Sequence, residues 1–105
     1  MLFPLTNSQG ALPRVVITGA GVVTALGLGW KPNAEGFRAG RRAFRPIKQF
    51  DVSRQRVKTG AEVDLPDSLP LGRSSRLSRH QLDRLDRAGK MLVLAAQESW
   101  LQAGW

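Results

Sequence analysis

Apolar residues along this chain fall into two dense blocks separated by a polar, arginine-rich middle. The first block is Val15-Val16-Ile17, which runs into Thr18-Gly19-Ala20-Gly21, then Val22-Val23 and Thr24-Ala25-Leu26-Gly27. The run is continuous rather than alternating, the pattern of a strand covered on both faces, as in a parallel sheet under helices. A strand with a glycine kink is therefore expected over 14–26. The second block is the run Met91 to Ala96, apolar all round, which predicts a buried helix.

Between the blocks the pattern is weaker. Residues 30–39 suit a short helix: Pro32 fits its first turn, Gly40 its stop, and Trp30, Ala34 and Phe37 can share one face. Residues 41–56 read as a packed loop punctuated by Ile47, Phe50 and Val52. Residues 57–64 read as a short strand holding Gly60, and 65–76 as loop. Ser78-Arg79-His80-Gln81 fits a capping box that opens the last helix. Leu82, Leu85, Gly89, Leu92 and Ala96 then recur at helical spacing, and Gly104 suits its end. Residues 1–13, with Pro4, Asn7, Gly10 and Pro13, read as a flexible arm. The predicted class is α/β in the order β-α-β-α, with too few elements to cover its own apolar faces.

Composition narrows the chemistry. The chain has 105 residues and a formal net charge of +8, with twelve arginines among its sixteen basic residues. That balance raises the prospect of an acidic partner. One alternative is a small basic binding protein that uses Arg41–Lys58 on nucleic acid or Arg79–Arg87 on an acidic protein. Nucleic acid is the weaker of these, because no recognition-module signature accompanies the charge. There is no cysteine, so no disulfide, thiolate metal site or cysteine nucleophile exists in this chain. That usage is compatible with the cytoplasm. No run reaches the roughly 18 apolar residues of a membrane span, and residues 1–13 do not resemble a signal peptide.

The motifs that invite chemistry are few. Thr18-Gly19-Ala20-Gly21 suggests a dinucleotide turn, but that fingerprint needs a third glycine where Thr24 stands. A steric role for the glycines, close approach of another segment, fits better. His80 is the only histidine, and no Asp, Cys or second His completes a triad or metal set around it. Asp83 and Asp86, amid Arg79, Arg84 and Arg87, read as helix-surface ion pairs.

The segment RVVITGAGVVTALG resembles the opening of the β-ketoacyl-acyl-carrier-protein synthases, the elongating condensing enzymes of fatty-acid and polyketide synthesis. Further stretches resemble that family in the same order: Trp30 to Gly40, Ile47 to Asp51, Gly60 to Val63, Leu82 to Arg87, and Ala95 to Trp105. Together they cover residues 14–105. Departures occur at Ala25, where proline is usual, and at Arg42-Ala43-Phe44, where Ser-Gly-Ile is usual. The resemblance implies an N-terminal part of a thiolase-like fold, with the rest of that fold or a homodimer partner completing it. It implies no cofactor and no metal. It also implies decarboxylative condensation by a cysteine, two histidines and a lysine, none of which has a counterpart here. Arg79, His80 and Arg84 match positions that contact the acidic carrier protein in similar synthases. Asp83 stands where a further basic residue is common.

Overall fold

The computed structural model describes residues 12–71 and 76–104. The expected flexible arm thus lies almost wholly outside the described residues, as do residues 72–75 of the expected 65–76 loop. The mixture is α/β, as anticipated, but it is built from two very small sheets. Strands β1 (Val23–Thr24) and β2 (Gly27–Leu28) form an antiparallel hairpin. Helix α1 (Trp30–Arg38) follows. Strands β3 (Arg45–Pro46) and β4 (Thr59–Gly60) form the second antiparallel pair. Helices α2 (Arg79–Asp83) and α3 (Arg87–Ala103) close the chain.

The β1–β2 turn is held from α1. Asn33, 2% exposed, donates through Nδ2 to the Gly27 carbonyl at 2.9 Å and to the Gly29 carbonyl at 2.7 Å. Its Oδ1 accepts from the Thr24 hydroxyl, which itself accepts from the Leu26 amide. A buried amide side chain with its donors and acceptor all engaged fixes one geometry for the turn. This reverses the expected orientation of α1. The buried positions are Asn33 and Gly36, the latter against the Leu26 side chain, while Trp30 and Phe37 stand 62% and 75% exposed. Hydrogen-bond geometry rather than aromatic burial docks this helix.

Three further expectations need correction. The strand over 14–26 is realised only at its end. Val15, Val16 and Ile17 have no ladder partner among the described residues, because no edge is available beside them. The single last helix is two. Asp86 has extended backbone and its carboxylate accepts from the Gly89 amide at 2.7 Å, which makes it the N-cap of α3. Asp86 is therefore not one of a pair of helix-surface charges, and Asp83 joins no ion pair among the described residues. Finally, α3 has no buried residue, with Leu92, Trp100 and Leu101 at least half exposed. No hydrophobic side chain of the described residues is fully buried.

Local signals fared better. The capping box at Ser78 and Gln81 is formed in both directions. Gly40 and Gly104 adopt the left-handed φ values of 64° and 80° that end α1 and α3. The expected second strand survives as β4.

The accessible surface of the chain is 9450 Å². A self-contained protein of 11.5 kDa exposes about 5,800 Å².

Candidate functional site

The best-defined constellation joins the glycine segment to α3. A Cβ placed on Gly21 would overlap the backbone of Ala95, and one on Gly19 would overlap the Ser99 carbonyl. The main chain at 19–21 therefore lies directly on the helix backbone. No side chain, and no phosphate, has room between them. This supports the steric reading of Thr18–Gly21 over the dinucleotide one.

Side chains from α3 secure that contact. Gln102 Oε1 accepts from the Ala20 amide at 2.7 Å, and Glu98 Oε2 accepts from the Val22 amide at 2.9 Å. The other oxygen of Glu98 accepts from the Trp30 amide at 2.5 Å. Trp30 opens α1, whose N-cap is Gly29 and offers no side chain. Glu98 thus supplies from a distant helix the acceptor that a capping residue would supply locally, with its negative charge at the favourable end of the helix dipole. Sequence reasoning missed Glu98. Partners 68 and 76 residues away leave no local trace.

A second cluster sits beside β3 and β4. The Arg45 guanidinium makes a two-pronged contact with Asp64, at 2.9 and 2.6 Å. Its Nε faces Glu62 Oε2 at 3.5 Å, an ion pair without a hydrogen bond. Glu62 Oε1 accepts from the amides of Lys48 and Gln49. Arg87, at the start of α3, donates to the Val63 carbonyl. These contacts absorb Arg45 and Arg87, so the arginine-rich middle is partly structural. They also fix the 45–64 hairpin to α3.

The Arg45 hydrogen bonds, aided by the charges of Arg45, Arg87 and Lys48, hold the Asp64 carboxyl below its ordinary value. The backbone amide of Ser53 does the same for Asp51. For a lowered carboxyl, the stabilisation is complete above the unfolded value of about 4 and is lost as pH falls through the folded value. Neutral and alkaline pH should leave this contact unchanged, and only acid should release it. An NMR titration of the Asp64 carboxyl carbon is expected to show the lowered midpoint, and Arg45→Ala to return it to the ordinary range. An unchanged midpoint in that variant would assign the shift elsewhere.

The three basic positions singled out from sequence fall together. Arg79 and His80 open α2, and Arg84 is its C-cap. All three are exposed, as is Asp83 between them. A separate, mainly apolar groove of about 320 Å³ is lined by Leu71, Arg76, Leu77, Val93, Trp100 and Leu101. No set of three or more His, Cys, Asp or Glu residues among those described could hold a metal ion. No helix among them is long and apolar enough to cross a membrane.

Comparison with known proteins gives these surfaces a context. Over 91 residues, 87% of the chain, it is 40% identical to oxytetracycline polyketide β-ketoacyl synthase 1 of Streptomyces rimosus. It is 36% identical over 97 residues to the ketoacyl synthase alpha subunit of the tetracenomycin polyketide synthase of Streptomyces glaucescens. It is 34% identical over 86 residues to 3-oxoacyl-[acyl-carrier-protein] synthase 2 of a Synechocystis species. No protein-family model matches the chain. No solved structure matches it. The chain spans about a fifth of the length of these relatives, 20%, 22% and 20% in turn. Similarity of this extent makes the chain a member of the β-ketoacyl synthase family that matches about one fifth of its relatives' length.

Proposed function

We propose that this chain is the N-terminal scaffold segment of a thiolase-like β-ketoacyl synthase. The complete enzyme joins an acyl thioester to malonyl-carrier protein with loss of carbon dioxide. The observation that carries the reading is the match to condensing enzymes across nearly nine-tenths of the chain. The segment's part is architectural. Its glycines let the segment at 19–21 lie on α3, and Glu98 and Gln102 fix that segment and the start of α1. The thioester step needs a thiol nucleophile, and this chain has no cysteine. Incubated alone with acyl- and malonyl-carrier protein, the 105-residue chain is expected to yield no condensation product. Product formation would overturn the reading. The alternative of a free-standing basic binding protein is not favoured by these relatives.

Arg79, His80 and Arg84 are proposed to meet the carrier protein. What supports this is their exposure on one short helix and the match of their positions to basic contacts in similar synthases. Carrier proteins are acidic, and rim cations act mainly on the rate of association. A useful host for the test is the Synechocystis synthase with its matched segment replaced by the matching residues of this chain. In that chimera Arg84→Glu is expected to raise KM for carrier-bound substrate about fivefold, a change of about 1 kcal/mol, with kcat unchanged. The increase should fade at high salt. An unaltered KM at low salt would remove Arg84 from the contact.

A further inference from the structure

The candidate carrier contact stands on α2, a helix of five residues, none of them buried. Among the described residues its side chains form no hydrogen bond or ion pair outside the Ser78–Gln81 capping box. Its placement is therefore set from its ends. Ahead of it, Leu77 shares a groove with Val93 and Trp100 of α3. Behind it, the corner at residues 84–86 leads into α3 and carries Arg84. The Leu85 amide closes that corner on one side by donating to the Leu82 carbonyl, and Asp86 closes it on the other as the N-cap of α3. The next residue, Arg87, reaches across to the 45–64 hairpin and donates to the Val63 carbonyl.

Val63 is a firm anchor because both of its neighbours are pinned. Arg45 holds Asp64 by two hydrogen bonds, and its Nε faces Glu62, whose other oxygen accepts from the amides of Lys48 and Gln49. A two-pronged contact between guanidinium and carboxylate fixes direction as well as distance. Arg87 also lies near enough to Asp64 for its charge to help hold down that carboxyl. The hairpin and the helix corner thus share one set of charges. We propose that Arg45, Asp64 and Arg87 are positioning residues for carrier docking, which fix through the Val63 carbonyl the corner that presents Arg84. The inference rests on the carrier reading of Arg79, His80 and Arg84 given above. A direct effect of the cluster's charge on the carrier predicts the opposite sign for one substitution. Asp64 is exposed and acidic, so removing its charge would on that account tighten the hold on an acidic partner. Loss of a positioning residue should weaken it.

The test uses the Synechocystis chimera and its Asp64→Asn variant. KM for carrier-bound substrate is expected to rise about threefold, the size of a modest coupling between sites, with kcat unchanged. With acyl and malonyl thioesters of a small thiol in place of the carrier-bound ones, KM should not move. Arg45→Lys keeps the charge and loses the fork, and should give an intermediate KM. The amides of residues 82–86 should exchange about threefold faster in Asp64→Asn, while those of α1 keep their rate. An unchanged or lowered KM, beside a KM raised by Arg84→Glu, would overturn the inference and leave the carrier contact standing. A KM that rises equally with the small thioesters would overturn it too, since that marks a general loss of structure. If Arg84→Glu also leaves KM unaltered, the carrier reading itself fails and the inference falls with it.

Discussion

Replacing Gly21 with alanine is expected to destabilise the Synechocystis chimera by about 3 kcal/mol or more. The added methyl meets the carbonyl oxygen, carbonyl carbon and Cα of Ala95. Overpacking against movable side chains costs about 1–3 kcal/mol, because rotamers can absorb part of the clash. Here the obstacle is helix backbone, which can retreat only if the glycine segment lifts off α3. Lifting it would also lengthen the bonds from Ala20 to Gln102 and from Val22 to Glu98. Gly19→Ala should behave similarly against Ser99. Gly40→Ala is the control. Nothing lies within 4 Å of its Cβ position, so only the strain of a left-handed residue, about 1–2 kcal/mol, should appear. Denaturant midpoints of the three variants decide the matter. A Gly21→Ala midpoint no lower than that of Gly40→Ala would show that the glycine segment does not sit on α3 as described.

The second large effect is expected at Glu98. One carboxylate serves two separate stretches of chain, the amide of Val22 just before β1 and that of Trp30 at the start of α1. Glu98→Ala strands both donors. The Val22 amide is partly buried and should carry most of the penalty, while the exposed Trp30 amide can turn to water. Leaving a buried donor unmade costs about 1–3 kcal/mol, so a loss of about 2 kcal/mol is expected. Glu98→Gln keeps one acceptor oxygen and loses the charge beside the helix dipole, and should fall between wild type and alanine. Hydrogen exchange adds a readout that a general loss of packing would not give. The amides of residues 22 and 30 should accelerate together, ahead of those within α3. Independent behaviour of the two would dissolve the bridging role.

These two residues also mark where the sequence is legible. The glycines are, because their need for close approach is written into their own identity, and the missing third glycine at Thr24 already argued against a phosphate turn. The capping box at Ser78, the stops at Gly40 and Gly104 and the short strand around Gly60 are local in the same way. The break between α2 and α3 was legible too, since Asp86 precedes the apolar run at capping distance from Gly89. Reading Asp86 by its charge rather than by its place concealed it. Glu98 was not legible, because nothing near it marks its distant partners.

The two apolar blocks teach something different. Periodicity states which residues require burial, not what will bury them. Val15–Ile17 and Met91–Ala96 have the pattern of doubly covered elements, yet the first stands exposed and the second is only partly covered here. That disagreement has the physical sense expected of a family segment one-fifth the length of its relatives. The candidate carrier contact shows the same division. Arg79, His80 and Arg84 could be placed on a helix start from sequence, whereas the structure exposes Arg79 and His80 at the start of α2 and Arg84 at its end. Their partner is a matter for binding experiments.

The central claim is that the chain supplies scaffold and no catalytic group to a condensing enzyme. The most direct measurement is the condensation rate of the Synechocystis chimera with acyl- and malonyl-carrier protein. If this chain is the equivalent segment, the chimera folds and turns over within about tenfold of the parent enzyme, a difference of about 1.4 kcal/mol in activation free energy. A chimera that cannot fold, or one that folds and does not condense, would contradict the claim.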